Sequence, residues 1–325
     1  MIRFELFFAF FIFAAQFVTA QTILTTQLFK NNGTEVNDPD SADFVRMVES
    51  PDSGSKMLII REFYAGGSRK SLANSISLIP LQYEGPYISF HPNGKKKEIS
   101  KYHDGYLIDT TYNFYPNGQL YTAKYEIPPF EQSTDIAVGP NFYIKSMRDS
   151  TGKDIVVDGK GNGIIYSDDY KIIVESGEIK NGIREGIWTG QLKSLNLKYT
   201  EIFSKGRLIS GESIEIDGKV NHYTQDQVQP VFKGGPQFLY DYLRKNVRYP
   251  PSAQERNIQG KVFVRFIILE DGTLTEIRST RSPDKVLTEE ALRVIKNSSP
   301  WEPGQLKGKK VKVAYNVPVS FTLSN

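Results

Sequence analysis

Hydrophobic and polar positions follow three rhythms along this chain, and each predicts a different kind of element. The first is a continuous apolar run. Met1 to Ala20 reads MIRFELFFAFFIFAAQFVTA: Arg3 gives a weak positive start, Leu6 to Ala15 is apolar throughout, and Val18-Thr19-Ala20 places small residues before Gln21. A bilayer span needs about 20 apolar residues, and Glu5 and Gln16 interrupt this run. The pattern predicts a signal peptide over 1–20, cleaved between Ala20 and Gln21. The alternative is an uncleaved membrane anchor. Either way the rest of the chain works outside the cytoplasm.

The second rhythm is short alternating stretches punctuated by aromatic residues and glycine turns. Phe63-Tyr64-Ala65-Gly66-Gly67, Phe90-His91-Pro92-Asn93-Gly94 and Phe114-Tyr115-Pro116-Asn117-Gly118 repeat one another, their last glycines 27 and then 24 residues apart. Asn-Gly favours a two-residue type I′ hairpin, whose central residues both need positive φ, and the aromatics before it suit strands. After a stretch without the pattern it returns at Asn181-Gly182 and, 24 residues later, at Lys205-Gly206. A period near 24 built of strands and turns predicts stacked β-hairpins. The boundaries read from this are an N-terminal segment over 21–58, repeats over 59–126, an irregular connection over 127–153, a second repeat block over 154–222 and a linker over 223–235.

The third rhythm mixes helix and strand periods over 236–325. Phe238, Leu239, Tyr242, Leu243 and Val247 share a helix face that Pro250-Pro251 ends. Lys261 to Leu269 and Leu274 to Thr280 read as strands around the turn Glu270-Asp271-Gly272-Thr273. Leu287, Ala291, Val294 and Ile295 mark a second helix. From Val311 to Leu323 seven apolar residues alternate with other residues and so share one face of one strand. The predicted fold class is therefore a mainly β repeat region of stacked hairpins, followed by a C-terminal α+β domain with a small antiparallel sheet and two helices.

Two details of the C-terminal strands bear on function. Pro318 cannot donate to a ladder, which predicts that the last strand lies at an open edge able to accept an extended peptide. In the strand starting at Lys261, Val262, Val264, Phe266 and Ile268 form one face, yet Phe263, Ile267 and Leu269 make the opposite face apolar as well. Those three are a candidate dimer face.

Composition narrows the chemistry. The 325 residues include no cysteine and three histidines. This excludes disulfides, thiolate zinc sites and a cysteine nucleophile. A net charge of +3 is too small to argue for nucleic acid. Residues 226–325 hold 16 Lys and Arg against 10 Asp and Glu, so the basic bias belongs to that region; its plain reading is a solvated face. His91, His103 and His222 form no metal motif. Asp158-Gly159-Lys160-Gly161-Asn162-Gly163 with Asp169 has the outline of a calcium loop, but Lys160 stands where a ligand is needed, and hairpin turns explain the glycines better. No nucleophile–base pair is visible. Neither an enzyme, a cofactor nor a metal is expected.

Two resemblances add to this. The hairpin units, over about 60–125 and 160–220, resemble MORN-repeat variants, which implies an elongated β-meander for contacts or spacing. Arg248-Tyr249-Pro250-Pro251-Ser252-Ala253-Gln254, Ile258-Gln259-Gly260-Lys261-Val262-Phe263-Val264-Arg265-Phe266, Glu270-Asp271-Gly272, Trp301-Glu302-Pro303-Gly304, Gly308-Lys309-Lys310-Val311 and Val317-Pro318-Val319-Ser320-Phe321 resemble the C-terminal domain of TonB. The second resemblance implies periplasmic binding of an outer-membrane receptor segment, the TonB box, by strand addition, in energy-dependent transmembrane transport. It implies contacts at Arg248, Tyr249 and Pro250 and along Val311, Lys312, Val313, Ala314, Tyr315, Asn316 and Val317. Tyr249-Pro250 also has a plainer reading, ending the helix and packing the core. The chain departs from TonB in lacking a proline-rich spacer: between Glu131 and Gln229 Pro140 is the only proline. An inner-membrane energising complex is then a partner only if the N-terminus stays as an anchor. The alternative function is a non-transducing envelope adaptor, with the repeats making the contacts and a homodimer as a further partner.

Overall fold

The computed structural model describes residues 22–128, 142–298 and 301–323. The expected signal peptide lies outside the described residues, among which no helix is long and apolar enough to cross a membrane. The chain divides into two compact units, 1–190 with 203–207, and 191–202 with 208–325.

The first unit is an antiparallel meander. Its strands are β1 (Ile23–Phe29), β2 (Glu35–Val36), β3 (Phe44–Glu49), β4 (Leu58–Tyr64), β5 (Arg69–Leu78), β6 (Leu81–Phe90) and β7 (Lys96–His103). It continues with β8 (Tyr106–Phe114), β9 (Leu120–Glu126), β10 (Phe142–Arg148), β11 (Asp154–Val157), β12 (Lys160–Tyr166), β13 (Ile173–Lys180) and β14 (Ile183–Leu192). β1 pairs with β2 and β3, and from β3 each strand pairs with the next. Stacked hairpins are thus what the sequence encodes. Of the stretch 127–153, expected to be irregular, residues 129–141 lie outside the described residues; Phe142–Arg148 form β10 paired with β9, with Ile144 and Met147 buried on either side of a bulge. The segment 21–58 likewise supplies strands of the sheet rather than a lead into it.

The turns correct the sequence reading in part. At Asn181-Gly182 both residues have positive φ, 54° and 79°, as type I′ requires. At Asn93-Gly94 and Asn117-Gly118 only the glycine does, at 82° and 89°. There the asparagine Oδ1 accepts from the N–H of Lys95 or Gln119 instead, at 3.1 and 2.9 Å. Its amide is turned outward, to the next repeat. Asn93 Nδ2 donates to the Pro116 carbonyl and Asn117 Nδ2 to that of Ser150. The residue opening each turn does the same: Tyr64 reaches the Phe90 carbonyl, His91 that of Phe114, and Tyr115 that of Arg148, each at 2.8 Å. Burial pushes the His91 imidazole below its usual range, which suits a neutral ring donating Nε2–H. Each of these three turns is therefore tied to the next by side chains the repeat itself prescribes.

Tyrosines fill the space between hairpins. Tyr83, Tyr87 and Tyr102 meet edge-on or tilted, and Tyr115, Tyr121, Tyr166 and Tyr170 form a second group. Buried Glu62 accepts from Lys70 at 2.7 Å, Arg46 at 2.7 Å and Ser71 at 2.9 Å. Burial alone would raise its carboxyl; the two cations outweigh it and hold the group below the usual carboxylate range. A carboxyl lowered in the folded state stabilises above its unfolded pKa and loses that contribution as pH falls through the folded one. The gap in Tm between the native chain and Glu62→Gln is therefore expected to be constant at neutral pH and to close in acid. A gap independent of pH would contradict this.

The second unit holds most of β15 (Leu197–Ser204) and β16 (Arg207–Ile214), then β17 (Val220–Tyr223), β18 (Gln227–Val228) and β19 (Val231–Phe232). Next come α1 (Pro236–Asn246), α2 (Pro251–Glu255), β20 (Gly260–Ile268), β21 (Leu274–Arg281), α3 (Lys285–Lys296), β22 (Trp301–Glu302), β23 (Gly304–Leu306), β24 (Lys309–Val311) and β25 (Val313–Phe321). The main sheet has the order β21-β20-β25, with β18-β23-β24 and β19-β22 as small sheets. Three readings change. The span 223–235 is woven into these small sheets rather than forming a linker. Pro250-Pro251 ends α1 but also starts the short α2, proline fitting a first helical turn. The last strand starts at Val313, since Val311 belongs to the β23–β24 hairpin.

Candidate functional site

The C-terminal core explains why β25 stands where it does. Leu239 and Leu243 of α1 and Leu287, Ala291, Val294 and Ile295 of α3 are buried with Val262, Val264, Phe266 and Ile268 of β20 and Val317, Val319 and Phe321 of β25. Asp284 caps α3, accepting from the Val286 N–H at 2.8 Å. Trp301, Phe266 and Tyr315 meet at 5.3–6.0 Å. The Glu270–Thr273 turn docks there too: a Cβ on Gly272, φ 86°, would overlap the Trp301 carbonyl. Two motifs far apart in sequence are thus one packing unit, and Trp301 is buried in it.

β25 pairs with β20 over nine consecutive positions, Gly260↔Phe321 to Ile268↔Val313, and no described strand pairs its other side. Pro318 lies opposite Phe263. A proline fits an antiparallel ladder where its nitrogen faces away from the partner; the same parity turns the N–H groups of Ala314, Asn316 and Ser320 toward the open edge. Side chains alternate accordingly: Val313, Tyr315 and Val317 point into the domain, while Ala314 and Asn316 are exposed.

The remaining predicted residues are distributed differently. Tyr249 donates its hydroxyl to the Ile258 carbonyl at 2.6 Å and sits edge-on to Phe321, 5.8 Å between centroids. The Arg248 N–H donates to Glu290. Tyr249 therefore packs at the far end of β25, about 27 Å along the strand from Val313 at 3.4 Å per residue. Val311 and Lys312 precede the strand. Of the ten predicted contacts, Val313 to Val317 lie on β25, Val311 and Lys312 directly precede it, and Arg248, Tyr249 and Pro250 lie toward its Phe321 end. Phe263 and Ile267, half-buried, lie on the face of β20 away from the helices, outside the core cluster, with Leu269 just past the strand end.

One feature escaped the sequence. Lys307, at the tip of the β23–β24 hairpin, is buried, its Nζ at 2.6 Å from both Glu201 Oε1 and Asp226 Oδ1 and 3.8 Å from the Tyr199 ring centre. Tyr223 donates to the same Glu201 oxygen at 2.8 Å, and Ser213 to the Lys307 carbonyl. Lys307 and Glu201 lie 106 positions apart, so no local pattern announces them.

Among the described residues, one group could approach a metal: Glu84, His103 and Asp104. His103 and the Asp104 N–H already hydrogen-bond to Glu84. Asp158-Gly159 is a hairpin turn into β12 with both residues at positive φ, as the plainer reading of that loop expects.

Residues 245–323 match the family model described as Gram-negative bacterial TonB protein C-terminal. The resemblance read from the sequence thus holds over this region. The family is an interaction and transport domain, and the match supports a TonB-like role in transport at the cell envelope. Two solution structures of the Helicobacter pylori TonB C-terminal domain, a shorter and a longer form, are 28% and 27% identical to this chain. They cover 27% and 29% of it and 94% and 90% of their own lengths, each with a TM-score of 0.23. No curated protein matches the chain.

Proposed function

We propose that this chain is a periplasmic TonB-like protein whose C-terminal domain binds an extended segment of an outer-membrane receptor, the TonB box, as an added strand on β25, in energy-dependent transport. The observation that carries this is the unpaired edge of β25, with Pro318 fixing which amides face outward. The added segment gains main-chain hydrogen bonds to Ala314 and Asn316. Tyr249 steadies the far end of the strand through Phe321, and Arg248, Tyr249 and Pro250 are carried as contacts by the resemblance alone.

The test is titration of a synthetic TonB-box peptide into the mature chain, followed by calorimetry. Ala314→Pro removes an outward donor without touching the core and is expected to weaken binding at least about tenfold while leaving the Tm nearly unchanged. No binding at millimolar peptide, or an unaffected variant, would sink the proposal. N-terminal sequencing addresses the coupling: a start at Gln21 gives a free periplasmic protein, whereas a retained Met1 gives an anchor through which an energising complex can act.

A second reading, a non-transducing envelope adaptor, is favoured by the hairpin array standing where a proline-rich spacer would be. Its contacts would be made by the MORN-like repeats, and deletion of residues 59–222 would then abolish partner capture while peptide binding survives.

A further inference from the structure

The sheet face turned away from the helices carries a charge pattern that the edge-binding reading does not use. The register lays it out in rows: Arg281–Phe263–Pro318, Arg278–Arg265–Asn316 and Thr275–Ile267–Ala314, running from β21 across β20 to β25. Lys261, on β20 two residues before Phe263, extends the first row's side. Lys261, Arg265, Arg278 and Arg281 are all exposed. None of them forms an ion pair among the described residues. The three strands contain a single carboxylate, Glu276, which occupies the β21 bulge at φ 50°.

Arg265 and Arg278 are directly opposite each other, an arrangement that is destabilising between neighbouring strands. Between the cations stand Phe263, Ile267 and Pro318, apolar groups at the same level of the sheet. A sheet face with apolar centres and unpaired guanidinium groups fits a ligand that alternates apolar and anionic groups. A second copy of this chain does not fit, because like charges would meet across the interface.

We propose that this face docks an acidic segment of a partner protein whose carboxylates engage Arg265, Arg278, Arg281 and Lys261 while its apolar side chains cover Phe263 and Ile267. The site is the sheet face, whereas the edge-binding reading uses the outward hydrogen-bonding groups of β25. It also gives the basic bias of residues 226–325 a place in the fold rather than a diffuse solvated surface.

The experiment uses the full mature chain and a fluorescein-labelled soluble peptide alternating glutamate with leucine. Fluorescence anisotropy is expected to show binding that falls as salt rises, since surface charges are screened over roughly 10 Å at 0.1 M. The matching lysine–leucine peptide is expected not to bind. Arg265→Glu/Arg278→Glu should weaken the acidic peptide at least about tenfold. Arg265→Glu alone, which sets an acid opposite Arg278, should raise the Tm while lowering affinity. Should the double reversal fold poorly, Arg265→Gln/Arg278→Gln serves in its place, with a loss of severalfold expected. Equal binding of the lysine–leucine peptide, or unchanged affinity in the variants, would overturn the proposal. So would the variant-sensitive capture of phosphatidylglycerol vesicles with no peptide binding, which would assign the face to a lipid surface.

Discussion

Lys307→Met is expected to destabilise the C-terminal unit by about 3–5 kcal/mol, the usual cost of removing one partner from a buried pair. Glu201 is 1% exposed, so once the ammonium is gone its charge has neither water nor a cation. Tyr223 still donates to it, but a neutral hydroxyl does not compensate a carboxylate. Asp226, whose side chain is 56% exposed, can turn to solvent and contributes little to the loss. Methionine keeps the unbranched stem and carries no extra penalty at the φ of 48° that Lys307 adopts. The measurement is the urea midpoint of the chain comprising residues 21–325. Lys307→Met/Glu201→Met, which removes both charges, is expected to recover most of the loss. If the single variant unfolds at the native midpoint, the buried pair is not what holds this hairpin.

Trp188→Ala is expected to cost the hairpin array a similar amount, about 3–5 kcal/mol. The indole is fully buried and lies against Gly177, where any Cβ would overlap it. Its Nε1–H donates to the Glu178 carbonyl at 3.0 Å, and the Arg184 guanidinium sits 4.6 Å above the ring. Arg184 is itself paired with Glu175. Truncation leaves a void under a bare glycine, and neighbouring strands cannot close over it because their spacing is fixed near 4.8 Å. Gly177→Ala tests the same contact from the other side: it should cost about 1–3 kcal/mol by crowding the ring, and the two changes together should cost less than their sum. Thermal unfolding followed by tryptophan fluorescence and far-ultraviolet circular dichroism reads the Gly177 arm; circular dichroism alone reads the Trp188 arm. A strictly additive pair would show that the indole does not rest on Gly177.

Much of this architecture was legible because periodicity is local. The alternation from Val313 to Phe321 gave the core face of β25, and Pro318 gave its open edge, since both arguments need only neighbouring residues. Asn181-Gly182 was read correctly as a type I′ turn. Asn93-Gly94 was not, because its geometry follows from a hydrogen bond to Lys95 and from a carbonyl in the next repeat, a contact across 23 residues. The same limit hid the Lys307 cluster. Tyr249 is a contact residue by resemblance, and what the sequence could not show is its packing on Phe321, 72 positions away. The basic bias was visible as a count, but its concentration on one sheet face depends on the register of β20 with both neighbours.

The turn-to-turn bonds of Tyr64, His91, Tyr115, Asn93 and Asn117 have a bearing on how such a protein changes over generations. Each of these turns is tied to the one beside it, with Tyr170 adding contacts to His91, Tyr115 and Tyr121 from further along the chain, so a whole unit can be gained or lost at a matching glycine with little redesign of the remainder. Excising 94–117, for instance, would join His91-Pro92-Asn93 to Gly118 and restore the same turn with Ser150 as its neighbour. The length of the array is then a quantity that duplication and deletion can adjust in single steps, independently of the domain that follows it.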